Sequence, residues 1–491
     1  MRLQLRAIRG AAGCALAVSA ALAAPAAGSV PTPSVEGPIP STAQPGDPSH
    51  DYVFYSTPLD LRRAGYTENE YFISGTATRY PSNPADPLAD ATPIGTMPYK
   101  TRIVVRRPAN PKRFKGVVVV DWQNVTAGQD IDTEWGASGD YFVRHGWAWV
   151  GASVQRVGVH GFAPPSPLAG RGLKQWNPTR YASLDVTNGG TVVDDSQSFD
   201  IYSQIAQLAK HPAHGAGPFK GLKVRRVYAG GVSQSARFLL LYYNTVQPLA
   251  RVYDGFLPGL GGPRVRTDVR TRMLRVNTEN DVWRGQGDPA IRIGDTRYVH
   301  TWEIAGGSHV PASAVSPDPN DFRAILGGIQ TRDIGPQAPF DCVNPGPSDV
   351  EVWAVAHTAY DALDRWVTRG IAPPTAQPIE VNGMTGTTWN IVRDADGFAV
   401  GGIRLPSVTV PVALNNGENA PANLTNPLNA FCVLYGTHEP YSPEKLASLY
   451  RSHGSYVLRV AAAAARLVRQ GFLLREDAST LVWRAIRADV P

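Results

Sequence analysis

The segment Gly231-Val232-Ser233-Gln234-Ser235 closes the run VYAGGV and opens the helix-like pattern SARFLLLYYN. A serine on a tight turn between a strand and a helix has its hydroxyl exposed. The N–H of the next residue, here Gln234, then faces any oxyanion formed at that hydroxyl. The motif fits the front half of G-x-S-x-G, with Ser235 standing where the last glycine usually falls. Gly-Gly-x-Ser also occurs at ordinary strand-to-helix junctions, where the serine serves only as an N-cap.

A serine hydroxyl needs a base to accept its proton and an acid to orient that base. Two acids, Glu279 and Asp281, follow the apolar run of Thr271–Asp281, TRMLRVNTEND. Either can orient a histidine from that loop, with a slight preference for Asp281. His309 follows the next run, YVHTWEIAGGSHV, and two glycines give the chain room to turn the imidazole back. The order serine, acid, histidine, each after a strand, is the order of nucleophilic acyl chemistry on an α/β sheet. A second oxyanion donor is expected from the loop after the strand GVVVVD, where Gln123 and Asn124 follow Trp122.

These residues need a scaffold. Gly116–Asp121 is an unbroken β-branched run, as in a strand buried on both faces. Gly146–Val154, Lys223–Tyr228, Thr271–Asn277 and Tyr298–Ile304 read as further strands. Tyr71–Tyr80 and Thr101–Arg107 read as early, partly antiparallel ones. Helical patterns at Asp200–Lys210, Ser235–Tyr243 and Val352–Arg369 alternate with them. The alternation predicts an α/β fold, a mostly parallel central sheet with helices on both faces. Ligands bind at the carboxyl ends of such strands.

The chain divides into four parts. Residues 1–27 resemble a signal peptide: Arg2, Arg6 and Arg9 precede the apolar Ala11–Ala23 and A-x-A cleavage sites. Residues 28–50 are rich in Pro, Ser and Gly and read as a disordered linker. Residues 51–370 hold the α/β core. Residues 371–491 form a C-terminal extension that packs on the core or covers it, with a hairpin expected around Asp394–Gly397 and helices over Ser442–Val490. The leader places the mature protein outside the cytoplasm, secreted or periplasmic, with no membrane anchor.

The formal charge of +6 halves when the leader's arginines are removed, which gives no basis for nucleic-acid binding. Of three cysteines, Cys14 lies in the leader. Cys342 and Cys432 form an even pair in an oxidising compartment, and one disulfide between them is expected. It would bring the extension beside the long loop after His309. So few thiols, without metal-ligand spacing, argue against a metal site. No organic cofactor is called for by the chemistry.

At these residues the sequence resembles the α/β-hydrolase domain-containing family of bacterial, mostly exported proteins. The likeness lies in DWQNVTAGQDIDTEW (Asp121–Trp135), VGASVQRVGV (Val150–Val159), WNPTRYASL (Trp176–Leu184) and DIYSQ (Asp200–Gln204). It continues in GVSQSAR (Gly231–Arg237), GGIRLP (Gly401–Pro406) and the tail LYRSHGSYV (Leu449–Val457). A serine at the last elbow position is usual in that group. The resemblance implies an α/β-hydrolase fold with Ser233 as nucleophile and His309 as base, and leaves the acid open. The expectation is a serine esterase acting on a small-molecule or polymer ester. An acyltransferase with the same triad and a non-catalytic binding protein on the same fold are the alternatives. The oligomeric state is not legible.

Overall fold

The computed structural model describes residues 30–212, 217–344 and 346–490. The expected leader lies outside them. Nine strands form one sheet in the order β1-β2-β3-β5-β4-β6-β7-β8-β9. They are β1 (Ser34–Glu36), β2 (Tyr66–Arg79), β3 (Gly95–Pro108), β4 (Val117–Trp122) and β5 (Ala148–Ala152). After them come β6 (Arg226–Val232), β7 (Gly255–Gly259), β8 (Arg272–Thr278) and β9 (Val299–Ile304). The pairs β1–β2, β2–β3 and β3–β5 are antiparallel, and from β5 to β9 every pair is parallel.

The β-branched β4 explains why the sheet is covered on both sides. Val118, Val120 and Trp122 enter the core on one face, while Val117 and Val119 enter the other. Burying one such side chain stabilises the fold by about 1.5–3 kcal/mol. Helices α1 (Thr133–His145) and α4 (Val352–Arg369) pack on the second face through Trp135, Phe142, Tyr360 and Leu363. Helices α2 (Ser198–Lys210) and α3 (Gln234–Thr245) pack on the first through Phe199, Ile205, Leu239 and Tyr242.

Residues 30–50 differ from the expected linker. β1 pairs with β2 from Ser34 opposite Ser74 to Glu36 opposite Phe72. The Ile39 N–H donates to Glu70 O at 2.8 Å, and Arg180 reaches Pro40 O at 2.7 Å. The outer edge of β2 offers unpaired backbone groups, and even a proline-rich chain can satisfy them over a few residues.

The extension packs on the core. A short hairpin, β10 (Val381–Thr385) and β11 (Thr388–Ile391), precedes the Asp394–Gly397 turn. That turn closes only a single bridge, Arg393 with Ala399, rather than a full hairpin. β12 (Ala413–Asn416) pairs with β13 (Thr437–Pro440). Helices α5 (His453–Gln470) and α6 (Arg475–Arg487) then place Leu467 and Leu481 in the second-face core. Cys342 and Cys432 are joined, with Sγ–Sγ 1.99 Å and Cα–Cα 5.4 Å. Among the described residues no helix is long and apolar enough to cross a membrane.

Candidate active site

Ser233 stands between β6 and α3 with φ 64° and ψ −120°. A non-glycine residue there is strained, and such strain persists only where the surroundings enforce it. The Ser233 N–H is held by Gly259 O of β7 at 2.9 Å. Ser235, in the place of the last elbow glycine, closes its hydroxyl on Val232: it donates to Val232 O at 2.8 Å and accepts from Val232 N at 2.9 Å. That serine clamps the turn from inside. Gly230 is tight as well, since a Cβ there would come within 2.8 Å of the Tyr360 hydroxyl.

His309 lies beyond β9. Its Nε2 is 2.7 Å from Ser233 Oγ, and its Nδ1 is 2.7 Å from Asp281 Oδ1. The second oxygen of Asp281 accepts from the Thr278 N–H at 2.8 Å and the Thr278 hydroxyl at 2.7 Å. Burial pushes the Asp281 carboxyl up. The charge and hydrogen bond of His309, with the two Thr278 donors, outweigh burial and hold it below the usual carboxylate range.

Glu279 is equally buried but is directed elsewhere. Its Oε2 accepts from Gly306 N at 2.7 Å and its Oε1 from Gly417 N at 3.0 Å, with Arg393 also at 3.0 Å. It fastens the extension to the acid and base loops and does not face His309. The sequence could not separate the two acids because both follow the same strand; only the turn after Thr278 decides which one faces the imidazole.

The loop after β4 also departs from expectation. Gln123 is buried, with its Nε2 on Asp132 and its Oε1 accepting from Ser153 at 3.1 Å. It belongs to the ion-pair network in which Arg106 meets Asp132 at 2.6 Å, and it is withdrawn from the site. The Asn124 side chain lines the cavity, yet its Nδ2 donates to Val232 O at 2.9 Å, and its backbone N–H goes to Ile131 O at 3.3 Å. Asn124 thus braces the elbow. The next amide, Val125 N–H, rests on Gln234 Oε1 at 3.3 Å, a long bond. Gln234 N is the first N–H of α3, where no intrahelical acceptor exists.

Sequence reasoning passed over Glu134. It lies on α1 with Oε1 accepting from Gly231 N at 3.1 Å and Oε2 from the Tyr360 hydroxyl at 2.7 Å. Burial holds its carboxyl, and that of neighbouring Asp121, above the usual range. Nothing in the stretch DTEW marks it, because its partner is a backbone amide of a distant strand.

Ser233 and His309 face a cavity of about 650 Å³. Its walls include Leu260, Phe340, Trp353, Phe431, Leu434 and Cys342. A second cleft of about 430 Å³ meets the same two residues from the side of Gln234 and Arg237. Among the described residues no group of three or more His, Cys, Asp and Glu is placed to hold a metal ion. A serine, an imidazole and a carboxylate in series, beside an apolar cavity and a helix N-terminus, can perform acyl transfer.

A family model described as an alpha/beta hydrolase domain matches residues 35–483. No curated protein matches the chain in sequence. Among solved structures, an a/b serine hydrolase without lid from Xanthomonas campestris shares 12% identity, with 54% of this chain and 97% of that one covered, at TM-score 0.25. A putative dienelactone hydrolase from Klebsiella pneumoniae shares 13%, covering 43% and 73%, at TM-score 0.21. A rice cell wall degrading esterase from Xanthomonas oryzae shares 13%, covering 40% and 43%, at TM-score 0.21.

Proposed function

The chain belongs to the alpha/beta hydrolase domain family, and from that premise we propose that it is an exported serine hydrolase that cleaves a carboxylic ester through an acyl-enzyme. The observation that carries the reading is the unbroken series Ser233 Oγ, His309 and Asp281, with both links at 2.7 Å. Export is supported by the basic, apolar leader sequence and by the Cys342–Cys432 disulfide.

Ser233 Oγ attacks the ester carbonyl carbon as His309 Nε2 takes the hydroxyl proton. The imidazolium that forms donates from Nδ1 to Asp281, which stays ionised. The tetrahedral oxyanion is met by Gln234 N–H, the first N–H of α3, and by a donor of the loop after β4 near Asn124. Losing one such donor costs on the order of 3 kcal/mol in the barrier. The intermediate collapses, the C–O bond to the alcohol breaks, and His309 returns the proton to the leaving oxygen. Water, deprotonated by His309, then attacks the acyl-Ser233 ester and releases the acid.

Labelling by a fluorophosphonate probe tests this reading. The folded wild type should take the label at Ser233, and Ser233→Ala should take none. A folded wild type that stays unlabelled would remove the hydrolase reading and favour a binding role for the fold.

A further inference from the structure

The two spaces that meet at Ser233 and His309 differ in how their charges are satisfied. In the large cavity every charged lining residue is engaged within the protein. Glu134 holds Gly231 N and Tyr360. Arg171 donates to Ala127 O at 3.2 Å and Gln337 at 2.6 Å. Arg323 pairs with Asp140 at 2.8 Å and lies over the Trp353 ring. Arg171 has no carboxylate partner among the described residues, but its guanidinium is taken up by those two hydrogen bonds, and the rest of the lining makes what the cavity presents mostly hydrocarbon.

The second cleft is different. Arg237 and Arg284 line it, both exposed, and neither is paired with a carboxylate among the described residues. Of the other arginines of this region, Arg266 pairs with Asp90 and Asp268, Arg292 with Glu303, and Arg393 with Glu279 and Glu418, whereas Arg264 is exposed and without a carboxylate partner among the described residues. The one acid lining the cleft is Asp281, and both of its oxygens are taken. Behind the cleft wall, buried Arg275 donates to Gln286 Oε1 at 2.8 Å, and its charge is offset by Glu303 and Asp281.

The positions follow from the catalytic frame. Arg237 is four residues after Ser233 on α3, and its N–H bonds to Ser233 O at 3.2 Å. Side chains on a helix lean towards its N-terminus, so residue i+4 lies over residue i. Arg284 is three residues after Asp281, in the helical turn Val282–Gln286. Each arginine is therefore one turn along the chain from a triad member and lines the same cleft as Ser233 and His309. A guanidinium recognises an oxyanion by charge-assisted hydrogen bonds.

Resting on the hydrolase reading, we propose that the substrate is an amphiphilic anionic ester. Its apolar part fills the 650 Å³ cavity, and an oxyanion such as a carboxylate, on the other side of the scissile bond, sits between Arg237 and Arg284.

Matched ester pairs test this. One pair is 4-(decanoyloxy)benzoate and 4-(decanoyloxy)benzamide, with the charge on the alcohol part. The other is decyl hemisuccinate and decyl succinamate, with the charge on the acyl part. In wild type the charged member of one pair should be favoured by about five- to tenfold in kcat/KM, as two partly exposed ion pairs allow. The preference should shrink as salt is raised, since both arginines are exposed. In Arg237→Gln/Arg284→Gln the ratio should fall to about one, and Arg237→Lys/Arg284→Lys should keep part of it. A wild-type ratio near one in both pairs overturns the proposal, as does a ratio that survives in the double Gln variant. Wild type that labels with fluorophosphonate yet turns over none of the four esters also overturns it. Wild type that neither labels nor turns over any ester instead removes the hydrolase reading on which the proposal rests.

Discussion

Asp281 and Glu279 are two residues apart and both buried, yet they hold different things in place. Asp281 faces His309 Nδ1, and Glu279 gathers Gly306 N, Gly417 N and Arg393. Asp281→Asn keeps the shape but puts an amide where an acceptor is needed, so the imidazole turns to the wrong tautomer. A loss of about 10³–10⁴-fold in kcat is expected. Glu279→Gln keeps the triad and weakens the tie to the extension. Its kcat should stay within a few-fold, while stability falls by about 1–3 kcal/mol. Rates and thermal midpoints on the two variants check this, and the opposite pattern would exchange the two roles. The depressed Asp281 carboxyl has a further consequence. A group whose folded pKa is lowered stabilises the fold above its unfolded value near 3.9, and that contribution is lost as pH falls through the folded value. Wild type should therefore lose stability relative to Asp281→Asn as pH drops below about 4.

At the scale of elements, strand-to-loop order made Ser233 and His309 legible, because each follows an apolar run of ordinary strand length. β7 was not legible: Gly255, Pro258 and Gly259 dilute its five residues, and only its neighbours β6 and β8 make it a strand. The ordered run at residues 30–50 was misread for a related reason, since composition does not reveal that an open sheet edge awaits it. Nor did sequence show how α6 is fastened. His357 of α4 places Nδ1 2.9 Å from Asp477 of α6 and Nε2 3.2 Å from Asp140 of α1. Burial pushes the imidazole pKa down, but hydrogen bonds and charge from Asp140 and Asp477 outweigh it, and the net shift is upward. A raised folded pKa means that this stabilisation is full below the unfolded value near 6.5 and is lost as pH rises through the folded one. His357→Gln should thus cost about 1–3 kcal/mol at pH 5–6, since Asp477 loses one of its two charged partners and keeps Arg144 at 3.0 Å. The gap to wild type should narrow as pH is raised. Denaturation midpoints of both proteins across pH 5–9 check this, and a gap independent of pH would show that the pair does not act as an ion pair.

For the whole molecule, the extension shapes the site as well as covering the core. Asn280, between the two acids, donates to Val433 O at 2.8 Å, and Val310 N, beside His309, donates to Leu434 O at 2.9 Å. The segment Pro427–Leu434 therefore touches the loop of the acid and the loop of the base. It also supplies Phe431 and Leu434 to the large cavity, and Phe340 lies 5.8 Å from Phe431 and 5.6 Å from Tyr435, ring to ring. The Cys342–Cys432 bond spans 90 residues of chain and joins these two sections of the wall. Chain entropy alone sets its contribution at up to about 4.5 kcal/mol, and about 2–4 kcal/mol is typical. Cys342→Ser/Cys432→Ser should lower stability by that amount, but the sharper expectation concerns substrates. A short acetyl ester needs the triad and little of the cavity. A decanoyl ester needs the wall, because each buried methylene contributes about 0.8 kcal/mol only while hydrocarbon surrounds it. At a temperature where the variant is still folded, kcat/KM for the acetyl ester should stay within about twofold of wild type, while KM for the decanoyl ester rises several-fold. Equal losses on both esters would place the effect of the disulfide at the triad loops. Loss of stability with no change on either ester would mean that the wall keeps its shape without the bond.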